Sequence, residues 1–160
     1  MVNGFDVNLE VINSLKKGYV HIVEPDLQEA FLEVFNEKKL IPINELKKSD
    51  VFIISVPTPF KKDYQEKIAD LSYIESAAKM VSKVLEEGNL VILESTVPPM
   101  TTKMMTDILE KETGISRENF MTAHCPERVL PGRILFELEN NDRIIGVEKK
   151  EAGEYTKEIY

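Results

Sequence analysis

The sequence predicts an α/β fold, a parallel sheet with helices on both faces, and two observations carry that expectation. Apolar runs rich in β-branched residues, VFIISV at 51–56 and LVIL at 90–93, alternate with segments whose apolar residues recur at helical spacing. Several of these runs pass straight into a loop built from proline and polar residues: SVPTP at 55–59, ESTVPP at 94–99 and CPERVLPG at 125–132. Strands that alternate with helices need crossover connections, and crossovers make neighbouring strands parallel.

The elements follow in chain order. Residues 2–6 read as the end of a strand. Asn8 caps a helix over 9–17, with Val11, Ile12 and Leu15 on one face and Gly18 as its stop. Pro25 opens a second helix from a first-turn position, and Asp26 and Glu29 suit its positive end. Leu27, Ala30, Phe31, Val34 and Phe35 form its apolar stripe. Residues 40–43 are a strand placed at an edge by Pro42. The run at 51–56 has the pattern of a strand covered on both faces. Asp70 caps a long helix to Glu87, stopped by Gly88, with Ile74, Ala77, Ala78, Val81, Val84 and Leu85 facing inward. After the strand at 90–93, Thr101 or Thr102 caps a helix to about Glu112, followed by Gly114. A strand at 120–124, a short helix at 134–138, a strand at 143–147 and a helix from Lys149 complete the chain.

Composition narrows the class. The chain has 160 residues, enough for one domain with a core, with 42% hydrophobic and 30% charged residues. Net charge is −8, which disfavours nucleic acid and anionic lipid as partners. No apolar run approaches the length of a bilayer span, and the start MVNGFDVN lacks the basic and apolar stretches of a secretion signal. A cytoplasmic location is expected. One cysteine allows no internal disulfide, and His21 and His124 lack companions at metal-ligand spacing, so no metal site is expected.

In open parallel sheets, ligands bind beyond the carboxyl ends of the strands. Candidate residues are therefore those that follow strands. A carboxylate at Asp6 can accept both hydroxyls of an adenosine ribose, or it can close a turn. SVPTP offers Thr58 in a loop stiffened by two prolines, either as a cofactor wall or as a strand-ending turn. Ser95 and Thr96 precede a rigid turn into a helix and can hold a polar ligand or cap that helix. Glu94 suits a structural hydrogen bond. Glu127 can act as a general base or orient a water, while Arg128 and Arg133 can grip phosphate or pair with neighbouring acids. Cys125 is expected to be a buried, inert thiol.

The glycine-rich phosphate turn that opens a dinucleotide-binding sheet is not in the sequence. FDVN at 5–8 has the character of a second strand. The chain thus reads as residues 1–160 of a partial domain, lacking the first strand and the glycine-rich turn. A gap is expected where that strand would lie, to be closed by rearrangement or by pairing of exposed edges with another chain.

Taken in order, FDVN, EPDL from Glu24, SVPTP, ESTVPP, CPERVLPG and NDRIIGV from Asn141 are similar to the UDP-glucose/GDP-mannose dehydrogenase family. The resemblance spans essentially the whole chain and implies a Rossmann-like NAD-binding domain, NAD as cofactor and a nucleotide sugar as substrate. CPERVLPG is most similar to the branch acting on UDP-N-acetyl-D-mannosamine. Family members oxidise the sugar C6 alcohol twice, through a thiohemiacetal and a thioester on a cysteine. By motif, Asp6 would bind the adenosine ribose, and Val56, Pro57 and Thr58 would line the cofactor. Ser95 would lie with them, and Thr96 near the nicotinamide and a catalytic water. Glu127 would assist thioester hydrolysis, and Arg128 and Val129 would border the sugar nucleotide.

Departures from the family pattern are specific. The family's catalytic lysine, asparagine and cysteine belong to a later domain, and Cys125 stands where related branches have asparagine. Met100 replaces a glycine common after VPP, and Pro131 replaces an acid of the UDP-glucose branch. The polypeptide alone is expected to be inactive and to bind NAD more weakly than about millimolar. Two rival expectations are a non-catalytic remnant that self-assembles through sheet edges and a different phosphate-binding α/β domain. Members of this class are also expected to be homo-oligomers.

Overall fold

The computed structural model describes residues 1–62 and 66–160. They divide into two compact units, residues 1–47 with 128–142, and residues 48–127 with 143–160. The described strands form two sheets, one of two strands and one of four.

The first unit is built on β1 (Val2–Phe5) and β2 (Leu40–Ile43), which pair in parallel with Gly4 opposite Pro42. Between them run α1 (Leu9–Lys16) and α2 (Leu27–Asn36), both packed on β2. Asn8 caps α1 through its side chain, which accepts the Glu10 amide at 2.9 Å. Gly18 ends the helix region at φ +87°, and a Cβ there would meet the Leu32 side chain at 3.4 Å. Ile12, Phe31 and Ile43 form the small core, and Phe31 stacks on Phe35 at 5.3 Å. Pro25 does not occupy the first turn of α2. The helix begins at Leu27 after Asp26, which is left-handed at φ 62° and makes no side-chain cap bond. A turn from the Glu24 carbonyl to the Leu27 amide sets the entry instead. The short helix α5 (Ile134–Asn140) also belongs to this unit.

The second unit has strand order β3 (Val51–Ile54), β4 (Leu90–Leu93), β5 (Met121–His124), β6 (Gly146–Val147). The first three are parallel and β6 is antiparallel. All four residues of β4 are fully buried, because alternate side chains enter cores on opposite faces. Leu90 and Ile92 pack with Ala123, Cys125 and Ala152 of α6 (Lys150–Ile159). The other face is covered by α3 (Ser72–Val81) and α4 (Thr101–Thr113), which pack on β3 and β5 and on each other. Each such buried aliphatic side chain contributes roughly 1.5–3 kcal/mol.

Further expected features of the second unit differ. β3 is not covered on both faces: Val51 packs against the cluster of Leu90, Ile92, Ala123, Cys125 and Ala152, but Ile53 stays 46% exposed at the sheet edge. The helix from Asp70 stops at Val81, and turns carry the chain to Gly88; Asp70 still accepts the Ser72 amide at 3.0 Å. The run at 143–147 yields only a two-residue antiparallel strand, because Arg143 is drawn into an ion pair and Ile144 is exposed. At α4, neither threonine caps. Met100 precedes the helix at φ 72°, and the Thr101 hydroxyl donates to the Pro98 carbonyl at 2.8 Å.

Candidate functional site

In the four-stranded unit, β3 and β4 are parallel and end side by side at Ile54 and Leu93. The loops that follow are joined in both directions. The Ser95 hydroxyl donates to the Val56 carbonyl at 2.7 Å, and the Thr58 hydroxyl donates to the Thr96 carbonyl at 2.8 Å. Val56, Thr58, Ser95 and Thr96 are thus brought together, with Pro57 in the same turn. Ser95 is buried, whereas Pro57 and Thr96 are exposed. The prolines of SVPTP and ESTVPP lack amide donors and fix φ, so these loops hold one shape.

The loop after β5 joins the same rim. The Cys125 amide donates to the Leu93 carbonyl at 3.0 Å, and the Glu127 amide to the Glu94 carbonyl at 3.2 Å. This carries Glu127, which is exposed, beside the end of β4. Glu94 itself is structural: its Oε1 accepts from Arg143 Nη1 at 3.2 Å and from the Tyr160 hydroxyl at 3.0 Å. The Arg143 guanidinium lies 4.1 Å above the Tyr160 ring, a cation–π contact. Glu94 and Arg143 side chains are each 19% exposed. Sequence reasoning missed Arg143 and Tyr160. The available signal was an arginine ahead of an apolar run, which antiparallel pairing of β6 brings to the rim.

Cys125 is fully buried. Burial pushes its thiol above the ordinary value of 9.0, against a smaller downward pull from Arg143. It is therefore a neutral thiol at physiological pH, with no nucleophilic character. Burial, followed by the Glu94 carboxylate, raises the Tyr160 hydroxyl well beyond its ordinary range, so Tyr160 acts as a hydrogen-bond donor.

Asp6, Arg128, Val129 and Arg133 belong to the other unit. Asp6 follows β1, and its Oδ1 accepts the Asn8 amide at 2.7 Å. Among the described residues no second bond to Asp6 is formed, so Oδ2 is available to a ligand. Arg128 is exposed and Val129 half-buried on the loop before α5. Arg133 lies 4.0 Å from Glu137 and 5.2 Å from the Phe136 ring centroid. Glu24 and Glu137 hold the backbone of this loop, and sequence reasoning gave them no role. For Glu137 the signal was an acid among apolar residues in ILFELEN; among the described residues it is the one charged residue that is buried.

Parallel strands alternating with helices, with the candidate ligand residues following the carboxyl ends of the strands, are the arrangement of the Rossmann class of dinucleotide-binding domain. The family model of the UDP-glucose/GDP-mannose dehydrogenase family, NAD binding domain, matches residues 1–160. The chain belongs to that family, and its cofactor is NAD.

It is 44% identical, over 99% of its length, to a UDP-N-acetyl-D-mannosamine dehydrogenase of Campylobacter jejuni, of which the match covers 40%. It is 39% identical, again over 99% of the chain, to an NDP-N-acetyl-D-galactosaminuronic acid dehydrogenase of Ralstonia nicotianae, covering 39% of that protein. The solved structure of the UDP-D-ManNAc dehydrogenase of Pyrococcus horikoshii superposes with a TM-score of 0.92 at 42% identity, over 99% of this chain and 38% of that one. The chain spans about 40% of the length of the curated relatives it matches. These relatives are dehydrogenases, which gives no support to a non-catalytic, edge-assembled remnant. Among the described residues no helix is long and apolar enough to cross a membrane.

Proposed function

We propose that this chain is the NAD-holding part of an enzyme that oxidises the C6 alcohol of UDP-N-acetyl-D-mannosamine to the carboxylate. The observation that carries the reading is the two-way hydroxyl bonding between the loops after β3 and β4. It gives a preshaped wall where this sheet class binds its ligand.

Each residue has a role in that reading. Asp6, with one carboxylate oxygen free of the turn, accepts the adenosine ribose hydroxyls and repels a ribose phosphate, which selects NAD over NADP. Val56, Pro57 and Thr58 line the cofactor, and Ser95 holds Val56 in place while facing the same loop. Thr96 presents its exposed side to the nicotinamide end and to a water. NAD, when bound, supplies the hydride acceptor. Glu127 orients or deprotonates the water that releases the product. Arg128 and Val129 border the sugar nucleotide. The identity with mannosamine dehydrogenases supports the choice of sugar. The whole enzyme is proposed to be cytoplasmic and homo-oligomeric, without a nucleic-acid partner, which the net charge of −8 supports.

The test is calorimetric titration of the chain with NAD and with NADP, with and without Asp6→Asn. NAD is expected to bind more tightly than NADP, and Asp6→Asn to weaken NAD by about tenfold while narrowing the preference. Equal affinity for the two cofactors in the unaltered chain overturns the assignment of Asp6.

A further inference from the structure

The loop at 128–133 is exposed over most of its length, with Leu130 64% accessible, so water could satisfy its amides. Instead two carboxylates take every second one. Glu24 Oε2 accepts the Gly132 amide and Oε1 the Ile134 amide, each at 2.9 Å. Glu137 Oε2 accepts the Leu130 amide at 2.9 Å. Asn141 donates to that same oxygen at 3.4 Å and to the Arg128 carbonyl at 3.3 Å. Gly132 sits at φ +88°, so the loop is bent into a shape most residues resist.

Core filling by the loop's own side chains does not account for this arrangement, since all of residues 128–133 except the half-buried Val129 are exposed. Charge-assisted bonds to alternate amides fix a backbone path. They also remove those amides as donors and place negative charge beneath the loop. An anionic ligand then cannot be gripped by a nest of backbone N–H groups here, and the grip falls to side chains.

We propose that Glu24 and Glu137 are positioning residues that hold the 128–132 loop in the form in which Arg128 and Val129 meet the sugar nucleotide. The inference rests on the reading of those two residues given above. Glu24 comes from EPDL, a string with no chemical role until its two oxygens are seen on the loop. Its role requires two acceptor oxygens. Glutamine offers one acceptor and turns an NH2 donor against an amide N–H. Aspartate keeps both oxygens and the charge but is one methylene shorter.

The experiment titrates UDP-N-acetyl-D-mannosamine and NAD, separately, into the full chain and into its Glu24→Gln and Glu24→Asp variants. Hydrogen exchange is followed at Leu130, Gly132 and Ile134. In Glu24→Gln the sugar nucleotide is expected to bind about tenfold more weakly, NAD affinity to stay within about twofold, and the Gly132 and Ile134 amides to exchange faster. Glu24→Asp is expected to fall between the two.

Faster exchange with unchanged sugar-nucleotide affinity overturns the positioning role and leaves the site reading standing. Equal loss of both ligands marks general destabilisation and also overturns it. An unaltered chain that does not bind the sugar nucleotide at all overturns the reading of Arg128 and Val129, and this inference with it.

Discussion

In the unit built on β3 to β6, hydroxyls donate to carbonyls: Ser95 to Val56 and Thr58 to Thr96. In the unit built on β1 and β2, carboxylates accept amides: Asp6 from Asn8, Glu24 from Gly132 and Ile134, Glu137 from Leu130. The sheets differ in the same sense. β4 is buried on both faces, whereas β1 leaves Val2 59% exposed. Where a core already fixes the strand ends, neutral bonds of about 1 kcal/mol each suffice to shape a loop. Where the core is small, the loop is shaped by charge-assisted bonds of roughly twice that strength.

The strongest way to break this contrast is Ser95→Ala. It removes a donor and leaves the Val56 carbonyl without its partner in a partly buried setting. A loss of about 1–2 kcal/mol is expected by urea unfolding. A loss below about 0.3 kcal/mol would mean that the hydroxyl bond is decoration and the prolines alone set the wall.

A smaller effect sharpens the contrast at helix entries. Each unit enters one helix through a left-handed residue, Met100 before α4 and Asp26 before α2. Methionine tolerates that conformation poorly, while aspartate visits it more readily. Met100 is 69% exposed, so little packing is lost on truncation. Met100→Gly is expected to stabilise by about 1 kcal/mol, near 2–4 °C in Tm, and Asp26→Gly by less. Equal gains in thermal melts would place the strain in the turn rather than in the side chain.

The smallest effect is acid dependence in the second unit. Arg117 bonds Asp107 and Glu110, and these bonds hold both carboxyls below their ordinary values of 3.8 and 4.5. Depressed carboxylates contribute stability above the ordinary values and lose it as pH falls through the lowered ones. Melting temperature should therefore drop as pH falls below about 4.5, and Arg117→Met should flatten that branch. Because Asp107 is exposed and Arg117 and Glu110 are half-buried, solvent reaches the cluster and the effect is screened by salt. Parallel melting curves for the two proteins across pH 2–6 would remove the cluster from any account of acid stability.

What could be read in the sequence follows from how local each cause is. LVIL at 90–93 was legible because a strand buried on both faces shows as an unbroken apolar run. Asn8 and Gly18 were legible because caps act within a few residues. RIIGV misled because its apolar letters say nothing of Arg143, whose partners Glu94 and Tyr160 lie 49 and 17 residues away. The helix from Asp70 was overextended because Val84 and Leu85 keep helical spacing through turns that are no longer helix. For the site, the proline loops announced themselves by composition. Their bonding partners did not, and Glu24 reaches amides 108 and 110 residues downstream. Side-chain-to-backbone bonds at such separations leave no periodic trace.

One consequence follows from the crossed Ser95 and Thr58 bonds. Two loops tied in opposite senses cannot shear past one another without breaking both ties, so they form a single plate. The ordering entropy of that plate is spent during folding, before any cofactor arrives, and binding there need not supply it again.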